Sequence, residues 1–144
     1  MDINQRQEEI VEEFSDFDDW MDRYSLLIDL GNQLAPMDEK LKTPDNLIEG
    51  CQSRVWLDAD LDAQGRMHFH ADSDAMIVKG IIALLTRVLE GATPDEVLST
   101  PLSFIDRIGL SEHLSPTRSN GLLAMVKQLK AYALAFKAKQ EAQA

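Results

Sequence analysis

The chain has 144 residues, 44% hydrophobic and 27% charged, the balance expected of one soluble globular domain spanning 1–144. A fold of this size buries roughly 70% of the surface its unfolded chain exposes, so it needs no disulfide or metal as a staple. With one cysteine it cannot form an internal disulfide, and a net charge of −11 excludes a general electrostatic footprint for nucleic acid or anionic lipid.

The N-terminal "MDINQRQEEIVEEF" is acidic and lacks the apolar core of a signal peptide. The longest apolar stretch, "AMIVKGIIALLTRVL", is interrupted by Lys79 and is too short to span a bilayer. A cytoplasmic location is the expectation. Charge is uneven: residues 1–40 carry 12 acidic and 3 basic residues, whereas 116–144 carry 5 basic and 1 acidic. Two solvated helix faces of opposite sign account for this, as would two ends that pack together or face different partners.

In chain order, Ile3, Ile10 and Phe14 predict a short first helix. Phe17, Trp20, Met21, Tyr24, Leu27, Ile28 and Leu34 recur at three- and four-residue spacing and predict an amphipathic second one. Ser15 or Asp16 is its expected N-cap and Pro36 its stop. Residues 36–50 lack helical period and read as a loop, with room for a brief strand near Leu47 and Ile48. "SRVWLDADLDAQGRMHFHA" alternates on both sides of the turn signal "DAQG", which predicts a β-hairpin. Val55, Leu57, Ala59, Leu61, Met67, Phe69 and Ala71 take its buried face, and helices must cover it because a lone hairpin is marginal in water.

"DSDAMIVKGIIALLTRVLEG" reads as the central buried helix, opened by Asp72 or Ser73 and closed by Gly91. "TPDE" at 93–96 is a capping box with proline at the first helical position; the helix it opens is short, since Pro101 follows. Ser115 and Pro116 repeat the start signal, and Leu122, Met125, Leu129, Tyr132 and Phe136 stripe a long last helix. Helices, hairpin, helices is an α+β order, with helices packed on a two- to three-stranded antiparallel sheet.

Little of this carries chemistry. His68 and His70 share the outward strand face with Arg66, and His113 is far away; with one cysteine, a structural zinc site or iron–sulfur cluster is not expected, and the histidines read as exposed and non-liganding. Asp58, Asp60 and Asp62 read as solvated charge that guards the sheet. No phosphate-binding glycine loop or nucleophile elbow is present.

Cys51 remains. Free cysteines are among the most buried residue types, and packing alone would explain one. Cys51, however, lies between Gly50 and Gln52-Ser53, a polar loop context rather than an apolar stripe. Both readings stay open at this level. A Cys–His hydrolase would need a histidine at the thiol, and the outward direction of His68 and His70 speaks against it. A sulfur-relay thiol needs only thiolate character and access.

"NLIEGCQSRVW" at 46–56, "DSDAMIVKGIIALL" at 72–85 and "LSPTRSNGL" at 114–122 resemble the SufE family of sulfur-acceptor proteins, in order and spacing, along nearly the whole chain. The resemblance implies a fold like that of the IscU-type scaffold proteins, with no cofactor and no metal. It implies a partner, a pyridoxal-phosphate cysteine desulfurase of the SufS or CsdA type, which the protein stimulates. Persulfide sulfur would pass from the desulfurase to Cys51 and on to the scaffold complex that builds iron–sulfur clusters. The protein would then be a covalent persulfide carrier that does not turn over alone, with room for a weak homodimer. Such a carrier calls for a mobile loop over an apolar pocket, sheltering Cys51 when free and extending it when docked. Asp74 matches a position linked to partner docking and to protection of the cysteine loop, and Arg118 one associated with the desulfurase interface. Each has a plainer reading: Asp74 as an acid in the first turn of a helix, where the dipole favours it, and Arg118 as a cation in a first turn, where it is mildly disfavoured. Arg54 departs from the family's frequent glutamine, and Trp56 reads as packing support for the loop. The alternative function is a non-catalytic regulatory module of a desulfurase; a cluster scaffold, lacking IscU-type cysteines, ranks last.

Overall fold

The computed structural model describes residues 2–143. Among them, seven helices and one hairpin follow in the order α1 (Ile3–Ser15), α2 (Trp20–Asn32), β1 (Val55–Leu61), β2 (Met67–Ser73), α3 (Met76–Leu89), α4 (Pro94–Ser99), α5 (Phe104–Arg107), α6 (Leu110–His113) and α7 (Pro116–Gln143). Two single-turn 3₁₀ helices, Glu39–Leu41 and Pro44–Asn46, punctuate the long connection between α2 and β1. This is the α+β order expected, on a two-stranded antiparallel sheet. The third strand is reduced to one antiparallel bridge, Leu47 to Trp56, beside the Ile48 N–H that donates to the Val55 carbonyl at 2.9 Å.

The sheet buries Val55, Leu57, Met67 and Ala71 against α3, while Ala59, Leu61 and Phe69 are only partly covered. α3 is buried on nearly all sides, from Val78 and Gly80 to Leu89, which is why its sequence shows so little polar surface. α2 lies unusually close to it. A Cβ on Gly80 would stand 2.2 Å from the Leu27 carbonyl oxygen, and one on Gly31 would stand 2.8 Å from the Gly80 nitrogen. At both positions only glycine allows the two backbones to meet. On the other side, the Tyr132 hydroxyl of α7 donates to the Leu57 carbonyl at 3.0 Å and so occupies part of the free edge of β1.

Thr93 and Glu96 form the expected capping box. Ser115 caps α7 through the Arg118 N–H at 3.3 Å. An unforeseen capping box, Asp2 with Gln5, opens α1.

Two expected starts move. α2 is capped by Asp19, not by Ser15 or Asp16, because α1 runs through Ser15 and Asp16 closes it; Phe17 therefore falls in the link. α3 is not capped by Asp72 or Ser73. Strand pairing persists to Ser73, opposite Val55, and the helix begins at Met76 after Ala75. Asp74 thus lies before the helix and not in its first turn. The opposite charges at the chain's ends do not chiefly neutralise each other: Glu9 and Glu13 of α1 bind Arg87 of α3, Glu8 binds Arg107 of α5, and Lys137 of α7 binds Asp95 of α4. Among the described residues no helix is long and apolar enough to cross a membrane.

Candidate functional site

The segment 49–53 is a short loop with both ends tied down. Upstream, Ile48 is buried and hydrogen-bonded to Val55. Downstream, Arg54 is held three ways. Its N–H donates to Asp74 Oδ1 at 3.0 Å, and its carbonyl accepts from the Asp74 N–H at 3.2 Å and from Ser73 Oγ at 2.8 Å. Ser73 Oγ also accepts from the Ala75 N–H at 3.2 Å, so one pair of residues fixes the loop's exit and the start of α3 together. Gly50 has φ +94°, a conformation that side chains rarely adopt, and a Cβ there would meet Ala124 Cβ at 3.2 Å. The loop therefore rides directly on α7.

This geometry turns Cys51 inward. It is half-buried and packed against the core, with Sγ 3.6 Å from the Gly121 carbonyl oxygen, within reach of a weak S–H donor. Sγ faces a cavity of about 410 Å³ lined by Cys51, Gln52, Ser53, Val78, Ser115, Thr117, Arg118, Gly121 and Met125. The expectation of an apolar pocket under the loop needs amending: Val78 and Met125 are apolar, but hydroxyls and the Arg118 side chain share the wall. Burial pushes the thiol's pKa above its ordinary 9.0, so at neutral pH Cys51 is held as the neutral thiol. Its polar sequence neighbours gave no sign of this; Gln52 is exposed while Cys51, between it and Gly50, is half-buried.

Of the three residues singled out in the sequence, the fold brings Cys51 and Arg118 into one cavity and sets Asp74 behind the loop as an anchor. A second depression of about 320 Å³ shares Ser53, Val78 and Arg118 with the first and continues to Ile28, Ala75, Met76 and Ile77. Met76 is exposed over 62% of its surface, so an apolar rim lies beside the cysteine. Sequence reasoning missed this rim, the Ser73 anchor and Gly121. A glycine in the second turn of a long helix costs about 1 kcal/mol against alanine, a signal for Gly121 that its place in "LSPTRSNGL" accompanied.

Among the described residues lining the cysteine's cavity there is no histidine. His68 sits between Asp62 (2.8 Å) and Glu90 (2.7 Å), and His70 bonds Asp60 at 2.9 Å. His113 stacks on Trp20 with ring centroids 4.1 Å apart. Asp58, Asp60 and His70 bring one donor atom each within 4.8 Å of the others, the one such group among the described residues with metal-ligating chemistry, on the exposed sheet face away from Cys51. Asp60 is exposed charge, as expected, and bonds His70 across the strands with Asp58 alongside. The Trp56 ring lies under the Lys42 ammonium at 5.6 Å, and its backbone makes the bridge to Leu47, so it braces the segment leading into the loop.

Helices around a single hairpin, with one loop cysteine turned into a helix-lined cavity, define an α+β thiol protein. The solution structure of a hypothetical protein from Thermus thermophilus is similar, with a TM-score of 0.75 and 24% sequence identity over 92% of this chain and 96% of that one. That likeness bears on the fold. A family model, SufE, described as an Fe-S metabolism associated domain, matches residues 8–133. The chain belongs to the SufE family and has a role in Fe–S metabolism.

Proposed function

We propose that this protein is a sulfur acceptor. Cys51 takes sulfane sulfur from the persulfide of a pyridoxal-phosphate cysteine desulfurase, of the SufS or CsdA type, and stimulates that enzyme. The sulfur then passes to a scaffold complex that assembles iron–sulfur clusters. The observation that carries this reading is the placement of Cys51: a thiol half-buried in a cavity beside Arg118, on a loop pinned at both ends, with no histidine in its wall among the described residues. Such a thiol has no resident base, which suits sulfur exchange on a partner better than hydrolysis.

The exchange is balanced without a further reactant. Cys51 sulfur attacks the outer sulfur of the partner's persulfide. The partner's S–S bond breaks as the new one forms, and the partner's cysteine leaves as a thiolate that takes up the proton Cys51 gives up. No net oxidation occurs. Since burial holds Cys51 as a thiol, docking must draw the loop out of its cavity or bring a proton acceptor to it. The anchors at Ile48 and Arg54 leave five residues free to swing, with Gly50 among them. The apolar rim of Ile28 and Met76 and the Arg118 side chain offer the docking surface, and Asp74 governs how readily the loop leaves.

The test is intact-mass analysis after incubation with a desulfurase and cysteine. The native protein should gain one dithiothreitol-labile sulfur, and Cys51→Ser none. Full stimulation of the desulfurase by Cys51→Ser would overturn the relay, and an unmodified thiol within a verified complex would favour a regulatory binding module instead.

A further inference from the structure

Gly121 is not explained by α7 alone. Ala124, one turn on, meets the loop with a methyl group, while Gly121, at the cysteine itself, has none. It is buried, it lies inside a helix of 28 residues, and alanine there would make the isolated helix more stable. A Cβ at Gly121 would stand 3.5 Å from Cys51 Sγ, an ordinary van der Waals distance. The reduced thiol would therefore tolerate alanine, and packing of the thiol is no reason for glycine. A longer side chain is. A persulfide extends the cysteine by one sulfur, about 2.05 Å beyond Sγ. The α7 backbone at Gly121 forms the floor of the cavity that Sγ faces, between Arg118 one turn before and Met125 one turn after.

We infer that Gly121 is a positioning residue for the persulfide state: its missing methyl leaves the space beside Sγ that the outer sulfur occupies, so that the cavity shelters the loaded form and not only the free thiol. This rests on the reading of Cys51 as the sulfur carrier, but its test can be made without the desulfurase. Gly121→Ala leaves the thiol in place and fills the space between Sγ and the helix, so the outer sulfur is pushed from the cavity floor toward its open side.

The experiment loads native protein and Gly121→Ala with inorganic polysulfide, which transfers a sulfane sulfur to the thiolate. Excess reagent is removed, and loss of the added sulfur to dithiothreitol is followed by intact mass. Alkylation of the unloaded thiol by iodoacetamide and the thermal midpoint are measured alongside. The expected result is loss at least about ten-fold faster in Gly121→Ala, because exchange requires access to the sulfur. Alkylation should stay within about two-fold of native, since the same access argument finds the thiol unmoved, and the thermal midpoint should be equal or higher. Equal persulfide lifetimes would overturn the inference. So would an equal acceleration of alkylation, which would make Gly121 only a seat that holds the loop down. Native protein that survives as a sheltered persulfide here but gains no sulfur from desulfurases would leave Gly121's role standing and refute the relay itself.

Discussion

Asp74 and Arg54 hold each other by the backbone on one side and by a carboxylate on the other: the Arg54 N–H meets Asp74 Oδ1 at 3.0 Å, and the Asp74 N–H meets the Arg54 carbonyl at 3.2 Å. Arg54 lies three residues beyond Cys51, where the loop joins β1. The pair ties the exit of the loop to the entrance of α3 through a carboxylate that lies outside the cysteine's cavity.

Replacing Asp74 with alanine removes a charge-assisted hydrogen bond and leaves the Ser73 anchor in place. The loop should open more often without unfolding the protein. Cys51 alkylation should quicken several-fold, by the factor that a loss of about 1–2 kcal/mol allows, while the far-ultraviolet circular dichroism spectrum is unchanged. An unaltered alkylation rate would show that Asp74 does not control the loop.

The thiol itself should titrate late. Burial raises its pKa above 9.0, so the alkylation rate of the native protein should reach half its plateau at a pH above that of the denatured chain. The accompanying stability has a definite sign. It is fully present below the unfolded value and is lost as pH rises through the folded one. Cys51→Ser should remove that part of the alkaline destabilisation, as read from denaturation midpoints across the alkaline range.

A second titration belongs to the hairpin. Asp62 first, and then Glu90, raise the pKa of His68 above its ordinary 6.5. This contribution is present below 6.5 and fades as pH rises through the folded value. His68→Gln should therefore flatten the fall in thermal midpoint between weakly acidic and weakly alkaline pH. A parallel pair of curves would show that His68 contributes nothing to it.

Gly80→Ala tests the helix pair. Its methyl would lie 2.2 Å from the Leu27 carbonyl oxygen, so α2 must shift away from α3. Overpacking of this kind costs about 1–3 kcal/mol, and backbone on both sides places this case at the upper end. Urea denaturation should show the loss in its midpoint. Gly91→Ala, with open space around it but φ +78°, should cost less than Gly80→Ala.

Much of this architecture was readable because its signals are local. The period-two run around "DAQG" corresponds to the hairpin of Val55–Leu61 and Met67–Ser73, and the capping signals at Thr93 and Ser115 mark real helix starts. The misplaced starts of α2 and α3 have one cause. Several polar residues in a row could each cap a helix, and the neighbouring element decided among them: α1 runs through Ser15 and leaves the cap of α2 to Asp19, and the pairing of β2 with Val55 keeps the chain extended past Asp72 and Ser73.

By itself the sequence determined the α+β order, the buried central helix and Cys51 as the chain's single thiol in a polar loop, since periodicity and residue type act over a few neighbours. It also carried the three motifs that mark the family. Only the tertiary structure decided which way the sulfur faces. The sulfur faces the turn of α7 that holds Arg118 and Gly121, some 70 residues away along the chain, from a loop whose exit Ser73 and Asp74 pin at Arg54. A loop's polar neighbours describe its contact with water. What lies beneath it depends on which helix the fold lays there, and here that helix has a glycine at the sulfur.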